Sequence, residues 1–207
     1  MKINALHYIT TNAEAAELAC RGGVRWVQLR VKNQPPAIWK QLALDTQAVC
    51  RRHGATLIIN DNPALAQEIG ADGVHLGKED LPPDEAREML GSKFIIGGTA
   101  NTFADVQRLA AAGVNYVGLG PFRFTSTKEK LSPILGLAGY TEIMRQCQAM
   151  GITAPVIGIG GITLADVPAL LAAGLHGVAV SGAIGATENP ADAAGLFVSE
   201  LSAVNAI

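Results

Sequence analysis

Eight short apolar runs rich in β-branched residues punctuate the chain: LHYIT (6–10), WVQLR (26–30), TLIIN (56–60), GVHLG (73–77), FIIGGT (94–99), YVGLG (116–120), PVIGIG (155–160) and GVAVSG (177–182). They read as continuous apolar segments rather than alternating ones, which means burial on both faces. That is how parallel strands look when helices cover them. Between most of the runs lies an Ala- and Leu-rich stretch with helical spacing. AEAAELACRGG (13–23), ALAQEIGADG (64–73), FADVQRLAAAG (103–113) and LADVPALLAAG (164–174) each close on glycine, where helices commonly stop. Eight strands alternating with helices in 207 residues predict an α/β chain, a single-domain (β/α)8 TIM barrel over 1–207. A doubly wound open sheet is the competitor, and it would have to absorb two of the eight runs as something else.

The bulk composition narrows the function classes. With 16 basic and 18 acidic residues the net charge is -2, and no long run of like charge offers a footprint for nucleic acid. No window approaches about 18 consecutive apolar residues, so no membrane span is expected. The segment MKINALHYITTNAEAAEL lacks the apolar core of a signal peptide. Cys20, Cys50 and Cys147 share no metal-ligand or redox spacing and are expected to be reduced thiols on helices. A soluble cytoplasmic protein is the expectation.

A barrel places its chemistry where strands end and loops begin, at the C-terminal face. Strand 2 ends as QLRVK, and alternation puts Gln28, Arg30 and Lys32 on one face of an extended segment. Two cations and an amide on one side suit an anion; a solvated strand end with a salt bridge is the alternative. Strand 3 ends in Asn60-Asp61, and Asp80 lies three residues beyond Gly77 at the end of strand 4. Two carboxylates at one rim suit Mg2+, which takes one or two protein carboxylates and completes its shell with water and phosphate oxygens. Alternatively Asp61 and Asp80 cap the proline-started helices that follow. His75, inside strand 4, is expected to be a hydrogen-bonded core residue. Strand 5 offers the Thr99 hydroxyl with Asn101 nearby. Strand 6 runs into GPFRFTSTK (120–128), whose Thr125, Ser126, Thr127 and Lys128 can donate to anionic oxygens. The interval from strand 6 to strand 7 is the longest in the chain, as functional loops often are. Glycines after the last two strands, GIGGI (158–162) and VSGAI (180–184), let backbone N–H groups approach a phosphate.

In the order and spacing of QLRVK (28–32), IINDNPALAQEIGADGVHLGKEDLP (58–82), IIGGTANT (95–102), YVGLGPFRFTSTK (116–128), VIGIGGIT (156–163) and GVAVSGAI (177–184), the chain resembles the thiamine phosphate synthase family. The resemblance implies a transferase on a (β/α)8 barrel that joins hydroxymethylpyrimidine diphosphate to hydroxyethylthiazole phosphate and releases pyrophosphate. It implies Mg2+ at Asp61 and Asp80. By motif, Gln28, Leu29, Arg30, Val31 and Lys32 with Asn60, Thr99 and Lys128 hold the pyrimidine diphosphate. Thr125, Ser126, Thr127, Gly161, Ser181 and Gly182 hold the thiazole phosphate. Arg30, Lys32 and Lys128 then serve as catalytic cations. The implied partners are these small phosphorylated substrates, with neither nucleic acid nor membrane, and a homo-oligomer is left open.

The chain departs from the family pattern in carrying Thr99 and Gly182 where Ser is usual and Lys78 where Gln is usual. It also continues as EKLSPILGLAGY after the TSTK segment, longer than the common pattern. The nearest rival is a thiazole tautomerase of the same fold, which resembles this chain but has His at the place of Pro121. A catalytically silent phosphate-binding barrel is the other.

Overall fold

All eight apolar runs form strands: β1 (Leu6–Thr10), β2 (Trp26–Leu29), β3 (Thr56–Asn60), β4 (Gly73–Leu76), β5 (Ile95–Ala100), β6 (Tyr116–Leu119), β7 (Val156–Ile159) and β8 (Gly177–Val180). The computed structural model describes residues 2–124 and 132–204. Each strand pairs in parallel with the next in sequence, and β8 returns to β1 with Leu6 opposite Val178 and Tyr8 opposite Val180. The sheet is therefore a closed barrel, and the open-sheet alternative is excluded.

Alternation along the strands divides the apolar residues between two cores. In β2, Val27 and Leu29 point outward into the layer between sheet and helices, while Trp26 points into the barrel. The inner cluster gathers Ile9, Trp26, Ile58, Ile95, Tyr116, Ile157 and Ala179, with Ile3 below them. Both faces are buried, so the strands read as continuous apolar runs; each fully buried aliphatic side chain contributes about 2 kcal/mol. His7 sits inside the barrel, stacked on Trp26 with ring centroids 4.3 Å apart. Burial, then the nearby His75, hold its pKa well below the usual value, so the ring is neutral.

The helices α1 (Ala13–Arg21), α2 (Pro36–His53), α3 (Pro63–Ile69), α4 (Pro83–Leu90), α5 (Phe103–Ala111), α6 (Gly136–Ala149), α7 (Val167–Ala172), α8 (Gly182–Gly185) and α9 (Pro190–Val204) surround the sheet. Their starts follow local chemistry. Asn12 and Asn62 cap α1 and α3 by accepting from the N–H groups of Ala15 and Leu65. Thr102 and Asp105 form a capping box on α5. The 164–174 stretch, which reads as one helix, is a 3-10 turn (Leu164–Asp166) followed by α7, with Pro168 at the start of the α-helix where its missing N–H costs nothing. Helices α8 and α9 close the ring. Gly22 lets α1 approach α9: a methyl group there would lie 2.1 Å from the Ala191 carbonyl oxygen.

The three cysteines are buried and free. Among the described residues no helix is long and apolar enough to cross a membrane.

Candidate active site

A cavity of about 720 Å3 opens where the strands end, at the C-terminal face of the barrel. Its wall is built strand by strand. Gln28, Arg30 and Lys32 come from the end of β2, Asn60 and Asp61 from β3, and His75, Gly77 and Asp80 from β4 and its loop. Thr99 comes from β5, Pro121 from the segment after β6, Gly160 and Gly161 from the loop after β7, and Ser181 and Gly182 from that after β8.

The polar groups from β2 to β4 form one connected set. The Gln28 amide donates to Asn60 Oδ1 at 2.7 Å, and both residues are buried inside the barrel. The Lys32 ammonium donates to Asp61 Oδ2. Asp61 adopts a left-handed backbone (φ 62°), unusual for a non-glycine residue, and its N–H donates to the His75 carbonyl at 2.8 Å. Asp80 accepts the Gly77 N–H at 2.6 Å. Gly77 leaves room for that carboxylate: a methyl on it would lie 2.8 Å from Asp80 Oδ2 and 4.0 Å from Asp61 Oδ1. Neither carboxylate caps a helix: Asn62 caps α3, and Pro82 precedes α4 with no side-chain cap. Burial, together with the Asp61 carboxylate that it hydrogen-bonds, raises the Asp80 pKa above the usual range.

Two crowded carboxylates with a lysine beside them fit a hard divalent cation, which would relieve their repulsion. Among the described residues no third acidic, His or Cys side chain joins them, so most of such an ion's shell would be water and substrate oxygen.

The other sequence-derived residues fall into three groups. Thr99, Gly161, Ser181 and Gly182 line the same cavity. Leu29 and Val31 are buried in the outer core, their side chains turned toward the helix layer by strand alternation, and neither lines the cavity that Gln28, Arg30 and Lys32 line. Thr125, Ser126, Thr127 and Lys128 lie outside the described residues.

After β7 the cavity wall includes a stretch without side chains, flanked by Ile159, Ile162 and Thr163. Gly160 and Gly161 have φ of 96° and 66°, and a methyl on Gly160 would lie 2.6 Å from Pro121 Cβ. Phe122 and Arg123 continue the ladder beyond β6, their N–H groups donating to the carbonyls of Ile159 and Gly160 at 2.9 and 3.0 Å.

For several residues already noted in the sequence, the contacts they make escape sequence reasoning. Asn101 is buried and donates both amide hydrogens, to Gly120 O at 2.8 Å and Pro133 O at 2.9 Å. It thereby joins the two ends of the β6–α6 connection. Lys78 lines the cavity and holds Asp105 at 2.6 Å. His75, expected in the core, is indeed hydrogen-bonded and 7% exposed, yet it also reaches the cavity floor. The period-two spacing of Tyr116, Gly118 and Gly120 was the available signal for a row of inward positions on β6.

A closed parallel barrel with cations, a carboxylate pair and glycine loops gathered at its C-terminal mouth defines the class: a (β/α)8-barrel enzyme with its site on that face. The model of one family, described as thiamine monophosphate synthase, matches residues 4–184. The thiamine-phosphate synthase of Flavobacterium johnsoniae is 55% identical over 166 residues, 80% of this chain and 78% of that one. That of Bacteroides thetaiotaomicron is 50% identical over 181 residues, 87% of each chain. Among solved structures, a thiamine phosphate pyrophosphorylase from Pyrococcus furiosus superposes with a TM-score of 0.85 at 26% identity, covering 96% of both chains. The chain belongs to the thiamine monophosphate synthase family, and with it to the transferases of thiamine biosynthesis.

Proposed function

We propose that the chain condenses 4-amino-2-methyl-5-hydroxymethylpyrimidine diphosphate with 4-methyl-5-(2-hydroxyethyl)thiazole phosphate, giving thiamine phosphate and pyrophosphate. The observation that carries this reading is the joined set Gln28–Asn60, Lys32–Asp61 and Asp80 at the mouth of the barrel. A thiazole tautomerase needs proton transfer rather than a divalent cation, so the crowded carboxylate pair beside Lys32 favours the synthase. The family-specific His of the tautomerase is replaced by Pro121, which lines the cavity.

Gln28 and Asn60 orient the pyrimidine ring, while Arg30 and Lys32 lie against its diphosphate. Asp61 and Asp80 would hold Mg2+, which when bound neutralises diphosphate charge as a Lewis acid. The bond between the pyrimidine methylene and the diphosphate oxygen breaks with its electron pair going to pyrophosphate. Arg30, Lys32 and, by motif, Lys128 stabilise the charge that develops there. The electron-rich aminopyrimidine delocalises the positive charge on carbon, so no protein nucleophile or base is required. The thiazole nitrogen then donates its lone pair to that carbon. The main chain of Gly161, Ser181 and Gly182, with Thr125 to Thr127 by motif, holds the thiazole phosphate in line. Reduced cysteines and phosphorylated substrates suit the cytoplasm.

Pyrophosphate release from the two substrates, measured with Mg2+ and after chelation, tests the reading. Release is expected only with both substrates and the metal. Its absence under every metal condition overturns the reading. Asp61→Ala is expected to lower turnover at least about a hundredfold while leaving the circular dichroism spectrum intact.

A further inference from the structure

From Thr99 in the cavity wall a polar chain runs down into the barrel, and the reaction as described gives its inner members, His75 and Tyr116, no part. His75 Nε2 lies 3.0 Å from Thr99 Oγ1, and His75 Nδ1 lies 3.0 Å from the Tyr116 hydroxyl. Tyr116 is 1% exposed and its ring is fixed edge-on to His7 and Trp26, with centroids 5.0 and 5.5 Å away. Two glycines make room for the pair. A methyl on Gly97 would lie 2.2 Å from Tyr116 Cζ, and one on Gly118 would lie 3.0 Å from His75 Cε1. Side chains at either position would evict the tyrosine or crowd the imidazole.

Hydrogen-bond accounting points to one arrangement of the protons. Burial pushes the Tyr116 phenol far above its ordinary pKa, so it keeps its proton. Among the described residues its hydrogen-bond partner is His75 Nδ1, and a buried hydroxyl that left its hydrogen undonated would cost about 1–3 kcal/mol. Tyr116 therefore donates, Nδ1 accepts, and a neutral His75 carries its proton on Nε2. That proton is donated to Thr99 Oγ1. The Thr99 oxygen, occupied as an acceptor from below, is left to donate its own hydrogen upward.

We propose that Tyr116 and His75 are positioning residues that set the Thr99 hydroxyl as a hydrogen-bond donor aimed into the cavity, toward a diphosphate oxygen of the pyrimidine substrate. The choice of target rests on the synthase reading; the direction of the relay does not. A donor held in place before the reaction is worth more than one that must rotate into place as the leaving group gains charge.

Nitrogen-15 NMR of the histidine-labelled, substrate-free protein tests the direction, with His75 identified by the signals lost in His75→Gln. The expected spectrum has a bare Nδ1 and a protonated Nε2, and Tyr116→Phe is expected to shift this tautomer balance. A protonated Nδ1 in the unaltered protein, or a His75 spectrum indifferent to Tyr116→Phe, overturns the proposal. Kinetics test the target. Tyr116→Phe is expected to lower kcat about tenfold, with KM for the thiazole phosphate unchanged. In a Thr99→Val background the same change is expected to cost nothing further, because the hydroxyl it aims is gone. Additive losses in the double variant overturn the relay. If the unaltered protein released no pyrophosphate, the synthase reading would fail, and the NMR result would still decide the relay.

Discussion

The Arg123 guanidinium grips the Asp166 carboxylate with both terminal nitrogens, at 2.5 and 2.9 Å, and joins the segment after β6 to the turn after β7. One of those nitrogens also donates to the Gly161 carbonyl at 2.8 Å. Because that carbonyl is held by Arg123, the orientation of the Gly161 peptide is set by a side chain from the neighbouring strand's loop. Glycine is required at 161, since a methyl there would lie 2.5 Å from Arg123 Cγ. The Arg123 side chain is 46% exposed, so the pair is worth no more than about 1 kcal/mol, or roughly fivefold in binding. Arg123→Ala is therefore expected to raise KM for the thiazole phosphate about fivefold and leave KM for the pyrimidine diphosphate unchanged. Steady-state kinetics with each substrate varied in turn would reveal an equal effect on both, and that would remove the clamp's assigned role.

Asn101 is the stability counterpart of that clamp. Its two donors satisfy Gly120 O and Pro133 O from a buried position, and neither bond can be replaced by water without opening the loop base. Asn101→Ala is expected to lower unfolding free energy by about 2–4 kcal/mol, measured by urea denaturation. Asn101→Asp is expected to cost more, because a carboxylate would face two carbonyl oxygens.

Two carboxylates link stability to acid pH. Arg123, followed by the Thr163 N–H and hydroxyl, outweighs burial and holds Asp166 at about 2. At Asp105, burial raises the pKa but is outweighed by Lys78 and by the Asn101 and Thr102 donors, which bring it to about 2. Both sit below their ordinary value of 3.8, so the folded state binds fewer protons than the unfolded chain. Their contribution is fully present above the unfolded pKa and is lost as pH falls from about 4 through 2. After screening it is on the order of 1 kcal/mol. Urea unfolding at stepped pH is expected to show this loss, and the Asp105→Asn/Asp166→Asn variant is expected to flatten it.

Gly182 occupies a position where a side chain fits. A Cβ added there meets nothing within 4 Å, and the residue lines the cavity. Gly182→Ser is expected to leave stability within about 0.5 kcal/mol and to lower KM for the thiazole phosphate by adding a hydroxyl donor. A raised KM would show that the backbone alone serves at this turn.

The sequence by itself determined the barrel, because burial on both faces of every strand forces a continuous apolar signal and the glycine-ended helical stretches mark each return. It also placed Gln28, Arg30, Lys32, Asn60, Asp61, Asp80 and Thr99 at strand ends, where one cavity collects them. Helix α9 and the break before α7 were not legible, since the first follows the last strand and the second turns on whether Pro168 opens a helix or interrupts one. Only the tertiary structure decided what Arg123, Asn101, Tyr116 and His75 do. Arg123 lies 43 residues from Asp166, and His75 lies 41 from Tyr116 and 24 from Thr99. Partners that far apart share no local pattern. They meet because closing a sheet of parallel strands brings every second side chain to one axis and every strand end to one rim, and register, not composition, chooses which ones touch.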